Sequence, residues 1–426
     1  MANLVPMKRV VIVVCDGHRD DLVREEFCPG ILRLERESVR FGRHRSVFPS
    51  TTRVASASIA TGCRPARHGL HGNTMGLESE DGVRVHDVGV PAFRASMRAA
   101  TGATLRVPTL AERLSGHGGS IVFSNVSPGG AYFQDPDGFG HVYHRAGSYG
   151  PGCVPIEGGS ALAVSHDAAG DRAMTERFCT EVLGARRPAV AVLWLCEPDH
   201  AMHGNPLGSP AHVDAIGAAD SCVDRVVETV KALERRGEEI LLLVGSDHGQ
   251  ESIIDSIPVA ERLVAAGLKA TTVSDDVAVA PQGSAGLVYL APRARGRQER
   301  IASFLTAQPE IASVHCGAEL VSLGMGAEGG LAIAFSMAKR LDGNEFGVRG
   351  HTYCVAGSGK QPRPGLGQHG GLGEFEQRPF LLLRPPGGAA ARVHQGATSI
   401  LDIAPTALRF LGLQVEGLDG SCLPFQ

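Results

Sequence analysis

The chain has 426 residues and a formal net charge of −4, with 43% hydrophobic and 20% charged residues. At this length one simple core usually stops growing, so we expect either one large domain with an insertion or two domains. The charge balance gives neither the basic footprint of a nucleic-acid-binding protein nor an acidic tail. A small molecule is therefore the expected partner, and no binding to a nucleic acid polymer is predicted.

The first apolar run, RVVIVVC at residues 9–15, is too short to span a bilayer and is followed directly by the polar DGHRDD. No small-residue cleavage site follows it, so we interpret it as a buried first strand and expect no membrane association. The ten cysteines form no CxxC pair, and several lie inside strand-like or helix-like runs. This pattern favours buried free thiols in a reducing cytoplasm over a disulfide framework or a zinc finger.

Short runs rich in Val, Ile and Leu alternate with helical patterns along the chain. The runs with strand character are RVVIVV at 9–14, SIVFS at 120–124, AVAVLWL at 189–195 and EILLLVGS at 239–246. Residues 210–233 carry apolar side chains at helical spacing, which predicts an amphipathic crossover helix. Continuous apolar strands that alternate with helices predict an α/β fold with a mostly parallel central sheet flanked by helices.

The sequence changes in character after Gln250, for roughly the length of a small domain. This part contains the strand-like AGLVYLA, the helical RQERIASFLTAQ, and a Gly-rich passage that reaches GSGKQPRPGLGQHGG. Apolar character then returns in RPFLLLRP and TSILDIAPTALRFLGL, which predict another core strand and a closing helix. We therefore predict a catalytic core formed by residues 1–255 and 365–426, with residues 256–364 inserted as a smaller α+β cap subdomain.

Three of the predicted strands are followed by acidic residues: Asp16 after the first, Asp199 after AVAVLWLCEP, and Asp247 with His248 after EILLLVGS. Groups just past the carboxyl ends of parallel strands gather along one edge of an α/β sheet. Carboxylates crowded together repel unless cations neutralise them. His203 lies four residues after Asp199, so one helical turn would place both side chains on the same face. Taken singly, an acid after a strand is usually a helix cap or a turn residue, but together with the histidine these acids predict a divalent metal site, with zinc or manganese as the ion.

The stretch FPSTTRVASASIATG places two threonines, Thr51 and Thr52, where a strand-like segment gives way to a helix of small residues. Either threonine would serve as an ordinary helix N-cap. The small side chains also allow the backbone to approach a ligand closely, and the amides at the helix N-terminus favour an anion. A threonine hydroxyl at that position, deprotonated by a bound divalent metal, is a candidate nucleophile toward phosphorus.

These residues resemble the alkaline phosphatase superfamily, nearest to its nucleotide pyrophosphatase/phosphodiesterase and phosphonoacetate hydrolase branch. The similar segments are VVCDG, FPSTTRVASASIATG through HGLHGN, EPDHAMHG, GSDHG and GQHGG, which occur in the family's order over nearly the whole chain. In this family the nucleophile stands nine residues before the Thr of a TG pair. Counting back from Thr61, the resemblance implies that Thr52 is the nucleophile.

The resemblance also implies a two-zinc site. One metal would be held by Asp16, Asp247, His248 and the Thr52 oxygen, and the other by Asp199, His203 and His369. Asn73, in HGLHGN, would contact a non-bridging phosphoryl oxygen. His369 lies in a glycine loop and is implied by the resemblance alone. The expected reaction is hydrolysis of a phosphate diester through a phosphothreonine intermediate.

Several features keep other functions open. Ala55 stands where many nucleotide pyrophosphatases carry an asparagine, which puts an unmodified nucleotide-pyrophosphatase substrate site in doubt. Phosphonoacetate hydrolases use lysines near the nucleophile, but residues 123–147 contain none, so Arg53 or Arg145 would have to replace them. CRPAR at 63–67 matches the sulfatase C-x-P-x-R pattern, but Cys63 follows the TG pair instead of preceding it. The sequence is also compatible with a phosphomonoesterase, a phosphotransferase or a non-catalytic metal protein.

The aromatic residues of the same segment allow two readings. Tyr132, Phe133, Phe139 and Tyr143 would either stack on an aryl or nucleobase group of the substrate or form a small local core.

Overall fold

A computed structural model describes residues 8–357 and 362–425. Within these ranges the central sheet has ten strands. Their order across the sheet is Arg392–His394, Val39–Phe41, Leu381–Arg384, Glu239–Gly245, Lys8–Cys15, Val190–Leu195, Ser120–Ser124, His141–Tyr143, Ser148–Gly150 and Val154–Ile156. The four strands predicted from the apolar runs are neighbours and run parallel. The predicted α/β class with a mostly parallel central sheet is confirmed.

The strand Lys8–Cys15 shows why the apolar runs are continuous. Val11 and Val13 point into the hydrophobic core on one face of the sheet, and Val10, Ile12 and Val14 point into the core on the other face. Side chains alternate between the two faces of a strand, so a strand that is covered on both sides must be apolar at every position.

Helices cover both faces of the sheet. The helix Pro210–Glu234 packs on one face through residues such as Val223. On the other face lie the small-residue helix Thr52–Thr61, whose Ile59 is fully buried, and the closing helix Ile403–Phe410. The other α-helices are Pro29–Glu35, Pro65–His68, Phe93–Thr101, Leu110–Arg113, Pro128–Tyr132, Ala168–Arg177, Asp199–Met202, Val259–Ala265, Gln298–Thr306 and Ala318–Ser322.

The segment after Gln250 builds two further four-stranded sheets within the described residues. One is antiparallel, in the order Val277–Pro281, Ala285–Leu290, Leu331–Met337 and Ile311–Cys316. The helices Val259–Ala265 and Gln298–Thr306 share its core. The other has the order Lys339–Gly343, Arg349–Val355, Glu251–Ile257 and Gly367–Gln368. The predicted cap boundary at residue 256 falls inside the strand Glu251–Ile257, residues 358–361 of the cap lie outside the described ranges, and the division into core and cap stays a prediction.

The remaining strands are short. They are His44–Arg45 paired with Thr398–Ser399, and the hairpin Thr74–Ser79 with Gly82–Asp87. All ten cysteines lie in the described part of the chain and are free. Across residues 8–357 and 362–425, no helix combines the length and the apolar character needed to cross a membrane.

Candidate active site

The predicted site lies at the edge of the central sheet where three neighbouring parallel strands end. Asp16 follows Lys8–Cys15, Asp247 and His248 follow Glu239–Gly245, and Asp199 lies four residues beyond Val190–Leu195. The structure brings these residues together, as expected for groups past the carboxyl ends of adjacent parallel strands.

Asp16, Asp247 and His248 form the first cluster of possible metal ligands. One ligand atom from each lies within 4.8 Å of the others, and all three residues are buried. His248 Nε2 is 3.2 Å from Asp247 Oδ2 and 3.5 Å from Asp16 Oδ1. Two neighbouring groups orient the carboxylates of the first cluster. Trp194 Nε1 donates to Asp16 Oδ2 over 2.9 Å, and Gly17 N donates to Asp247 Oδ1 over 3.2 Å.

Asp199, His248 and His369 form the second cluster, again with one ligand atom from each within 4.8 Å of the others. His369 Nε2 lies 3.6 Å from Asp199 Oδ1, and His203 Nε2 lies 3.3 Å from Asp199 Oδ2. His369 Nδ1 is 2.8 Å from the carbonyl oxygen of Ser50, which leaves Nε2 directed at the acid. The rings of His248 and His369 stack with centroids 3.7 Å apart, so His248 borders both clusters, whereas the sequence placed it in one.

Thr52 is the first residue of the helix Thr52–Thr61, and its side chain faces the first cluster. Its Oγ1 lies 3.1 Å from His248 Nε2 and donates to Asp16 Oδ1 over 3.5 Å. Thr51 occupies the N-cap position, but its hydroxyl makes no capping hydrogen bond and is buried without a partner among the described residues. The geometry therefore distinguishes the two threonines, and only Thr52 presents its hydroxyl to the acidic cluster.

Asn73 lies beside the start of the same helix. Its Oδ1 accepts a hydrogen bond from the backbone N–H of Arg53 over 3.3 Å. The Arg53 guanidinium donates to the Asn73 carbonyl oxygen and pairs with Asp87 over 2.8 Å. Within the described chain the Asn73 Nδ2 group donates to no protein acceptor. The Asn73 amide nitrogen is therefore an available donor on a side chain that contacts the N–H of Arg53, the residue after Thr52, and such a donor would stabilise a charged oxygen bound there.

The charges of the site are unbalanced without a cation. Burial, together with the charges of Asp247 and Asp199, raises the pKa of Asp16 well above its usual range. Burial and then Asp199 raise the pKa of Asp247 to about 7. Burial also opposes ionisation of Asp199, but the imidazoles of His203 and His369 lower its pKa overall. Burial lowers the pKa of His369 to about 3, so this ring is neutral at pH 7 and able to act as a ligand.

One buried atom shows directly that the donor set suits a metal. Asp247 Oδ2 forms no hydrogen bond within the described residues, although His248 Nε2 is 3.2 Å away. A buried carboxylate oxygen without a partner is costly unless a cation binds it. Carboxylate oxygens and neutral imidazole nitrogens are also the ligands that zinc prefers when cysteine is absent. The residues present therefore fit a pair of divalent cations.

Gln250 is a site residue that sequence reasoning did not find. It is fully buried two positions after His248, and its Nε2 donates to Asp199 Oδ1. Trp194, the only tryptophan of the chain, was missed as well. Gln250 stands in the motif-bearing stretch GSDHGQ, but no spacing rule links it to Asp199, which is 51 residues away.

The residues on which the competing functions depend lie elsewhere or have other contacts. Cys63 follows the far end of the helix Thr52–Thr61, about 15 Å from its start at the usual rise per residue. Arg145 Nη1 donates to the backbone carbonyls of Asn125 and Val126. Tyr132, Phe133 and Tyr143 are buried, which favours the local core over substrate stacking for them, and Phe139 is 41% exposed.

The chain is similar to proteins of known description in both sequence and structure. The model of the family described as type I phosphodiesterase / nucleotide pyrophosphatase matches residues 10–311. Murine ectonucleotide pyrophosphatase/phosphodiesterase 5, as an inactive variant in complex with AMP, is similar with a TM-score of 0.67 and 15% identity, covering 97% of each chain. Phosphonoacetate hydrolase from Sinorhizobium meliloti 1021, in complex with phosphonoformate, gives a TM-score of 0.66 and 17% identity, covering 95% of this chain and 96% of that one. No curated protein matches the chain significantly.

Proposed function

Because the chain belongs to the type I phosphodiesterase / nucleotide pyrophosphatase family, a branch of the alkaline phosphatase superfamily, we propose that it hydrolyses small phosphate diesters with Thr52 as the nucleophile. The observation that carries this proposal is the position of the Thr52 hydroxyl, 3.1 Å from His248 Nε2 and 3.5 Å from Asp16 Oδ1. Helix capping alone does not explain why a buried carboxylate and an imidazole lie beside the Thr52 oxygen.

The proposed cofactors are two divalent cations. Zinc is the expected ion at both positions, and manganese is the alternative. Asp16, Asp247, His248 and Thr52 would hold one of them, and Asp199, His203 and His369 the other. When bound, such a pair lowers the pKa of hydroxyl groups and neutralises charge on a transferring phosphoryl group. The unpaired Asp247 Oδ2 and the neutral His369 support this assignment.

In the first step the Thr52 hydroxyl gives its proton to solvent water, and Oγ1 forms a bond to phosphorus. The bond between phosphorus and the leaving alcohol breaks, and its electron pair goes to the alcohol oxygen, which takes a proton from water. The helix Thr52–Thr61 directs its N-terminal amides and its dipole at the same place, which favours the charged phosphoryl group. The Nδ2 group of Asn73 is available to donate to a non-bridging oxygen as charge develops there.

In the second step a water molecule attacks the phosphothreonine. A bond forms between the water oxygen and phosphorus, and the bond from phosphorus to Thr52 Oγ1 breaks. The attacking water releases one proton to solvent, and Oγ1 takes one up from solvent. The product is a phosphate monoester, and the enzyme returns to its starting state. Two displacements of this kind, each at the same phosphorus, replace one difficult step with two easier ones.

A panel of substrates tests the proposal. The zinc-supplemented protein is assayed with bis-p-nitrophenyl phosphate, p-nitrophenyl phosphate, p-nitrophenyl sulfate, thymidine monophosphate p-nitrophenyl ester and phosphonoacetate. We expect the two diesters to turn over fastest. A preference for the monoester or the sulfate, a product that requires an added acceptor alcohol, or metal binding without any turnover would each replace the proposal with the corresponding competing function.

Hydrolysis of a carbon–phosphorus bond is the second candidate function. The phosphonoacetate hydrolase matches the fold as well as the pyrophosphatase does, with TM-scores of 0.66 and 0.67. A phosphonoacetate substrate would need a cationic side chain to bind its carboxylate. Arg53 is a candidate for this role, but it already pairs with Asp87 over 2.8 Å. Phosphonoacetate as the best substrate of the panel would favour this second function.

A further inference from the structure

Gln282 joins the inserted segment to the loop that carries Asn73. It begins the turn between the strands Val277–Pro281 and Ala285–Leu290 and is 1% exposed. Its Oε1 accepts a hydrogen bond from the backbone N–H of Asn73 over 2.7 Å. Its Nε2 donates to the carbonyl oxygen of Thr74 over 2.6 Å. One buried side chain therefore holds the backbone on both sides of the Asn73–Thr74 peptide bond.

The contact is so close that a side chain at position 72 would push against the Gln282 amide. A Cβ atom at Gly72 would lie 2.3 Å from Gln282 Oε1, nearer than non-bonded atoms approach each other. The backbone before Asn73 therefore passes directly against the Gln282 amide. Any larger side chain at position 72 would displace either the amide or the loop.

The same turn also contacts the loop of the second cluster. Ser284 N donates to the carbonyl oxygen of His369 over 3.0 Å, and Ser284 Oγ accepts from Gly371 N over 2.8 Å. Gly283 has a φ of +68°, and a Cβ there would lie 2.2 Å from the His369 carbonyl oxygen. The turn of residues 282–284 thus lies between two loops of the candidate site.

The other contacts of Asn73 explain why its backbone position matters. Oδ1 is occupied by the N–H of Arg53, and the backbone carbonyl accepts from the Arg53 guanidinium. The backbone N–H of Asn73 donates to Gln282. The backbone N–H, the backbone carbonyl and Oδ1 of Asn73 therefore each have a protein partner, and Nδ2 is the group left for a ligand. A shift of the backbone would move Nδ2 away from the oxygen that it is placed to meet.

We propose that Gln282 is a positioning residue, through which the inserted segment holds Asn73 in place for phosphoryl transfer. The inference depends on the role given to Asn73 in the proposed function. Gln282 accepts the Asn73 N–H and donates to the Thr74 carbonyl oxygen, so in this proposal its effect on the reaction passes through Asn73. Positional errors of about 1 Å at a reacting centre cost up to about a hundredfold in rate.

The test is a double-mutant cycle with Gln282→Met and Asn73→Ala on the full chain, assayed with bis-p-nitrophenyl phosphate and zinc. Met keeps the length of the side chain and removes the hydrogen bonds that the amide makes to Asn73, Thr74 and Ala280. We expect Gln282→Met to lower kcat about 10–100-fold, with KM changed less than about threefold and metal content unchanged. In the Asn73→Ala background the same substitution should change kcat by less than about twofold, because the group that it positions is gone.

Thr74→Val provides the matched control. Thr74 Oγ1 donates to the carbonyl oxygen of Pro281 over 2.7 Å and accepts from Gln282 Nε2 over 3.3 Å. The variant loses these two bonds but keeps the bonds of Gln282 to the Asn73 N–H and to the Thr74 carbonyl oxygen. We expect near-normal kcat for this variant. Should Gln282→Met fail to fold, Gln282→Glu keeps the acceptor for the Asn73 N–H and loses the donor to Thr74, and its loss of kcat should likewise vanish in the Asn73→Ala background.

Equal losses in both backgrounds, normal kcat for Gln282→Met, or an equal loss for Thr74→Val would overturn the inference while leaving the proposed function intact. If Asn73→Ala alone has normal kcat, both the role of Asn73 and the inference built on it are wrong.

Discussion

The hydroxyl oxygen of Thr52 lies 3.1 Å from Nε2 of His248, although the two residues are 196 positions apart in the chain. The helix that begins at Thr52 packs on the central sheet, and His248 follows one of its parallel strands. This contact places the end of a buried helix against the edge of the sheet where the acids collect, and the main predictions follow from it.

Thr52→Ala is expected to lower turnover of bis-p-nitrophenyl phosphate by about a thousandfold or more, because no oxygen remains to form the covalent intermediate. Metal content should stay near normal, as the other ligands remain. Thr51→Ala is the control, since the Thr51 hydroxyl has no hydrogen-bond partner in the described chain and its loss leaves none unpaired. Steady-state kinetics and metal analysis by mass spectrometry measure both effects, and near-normal turnover of Thr52→Ala would contradict the assignment.

Asp199→Asn and His369→Ala are each expected to reduce bound zinc to about one ion per chain. Asp199 Oδ1 and His369 Nε2 are 3.6 Å apart, and both would hold the same metal. The first cluster keeps its own acids and should retain its ion. Two ions per chain in either variant, measured after dialysis, would show that the second site is built differently.

Gln250→Leu is expected to weaken zinc binding at the second site about 10–100-fold. Gln250 donates to Asp199 Oδ1, and partners that orient a ligand typically have effects of this size. Zinc titration by calorimetry measures the affinity directly, without depending on turnover. A matched substitution, Gln308→Leu, removes a glutamine of the inserted segment far along the chain from the metal ligands and should bind zinc normally; equal affinity in both variants would remove Gln250 from the site.

The metal-free protein should respond to Asp247→Asn in a pH-dependent way. The pKa of Asp247 is raised to about 7, so the folded state holds its proton more tightly than the unfolded state does. The contribution of this group to stability is therefore greatest at low pH and is lost as the pH rises from about 4 through about 7. Asparagine removes that loss, so the variant should exceed the metal-free wild type at pH 8 by on the order of 2–4 kcal/mol in the free energy of unfolding, and by only about a third of that at pH 5.

Denaturant unfolding with chelator at the two pH values measures this difference. With zinc present the order should reverse, because the wild-type carboxylate then binds a cation that asparagine holds poorly. A variant that is less stable than the metal-free wild type at pH 8 would count against the crowding of acids described here.

Cys63→Ser is expected to keep full activity, because Cys63 lies beyond the helix end opposite Thr52. Burial raises the pKa of its thiol, which disfavours the reactive thiolate. Intact-mass analysis should find an unmodified cysteine at this position. A formylglycine there, or loss of activity in the variant, would support the sulfatase reading.

The sequence was most informative where one property repeats along the chain. Residues 10–15 are apolar at every position because this part of the strand Lys8–Cys15 is buried on both faces, and such a continuous apolar run predicts a parallel sheet. Asp16, Asp199 and Asp247 were found because they follow such runs. His369 was implied only by family resemblance, since a glycine loop carries no periodic signal.

The sequence by itself therefore determined the fold class and the strand-end acids Asp16, Asp199 and Asp247, because burial on both faces and strand-end positions leave a local pattern in the chain. The family and His369 came from the resemblance of the motifs. Only the tertiary structure decided how those residues meet: that His248 borders both clusters, that Trp194 supports Asp16, that Gln250 reaches Asp199 and that Gln282 reaches the backbone of Asn73. Each of these contacts depends on how distant segments pack against one another. Hydrogen bonds between residues 51 to 209 positions apart follow from that packing geometry, and no local periodicity encodes it.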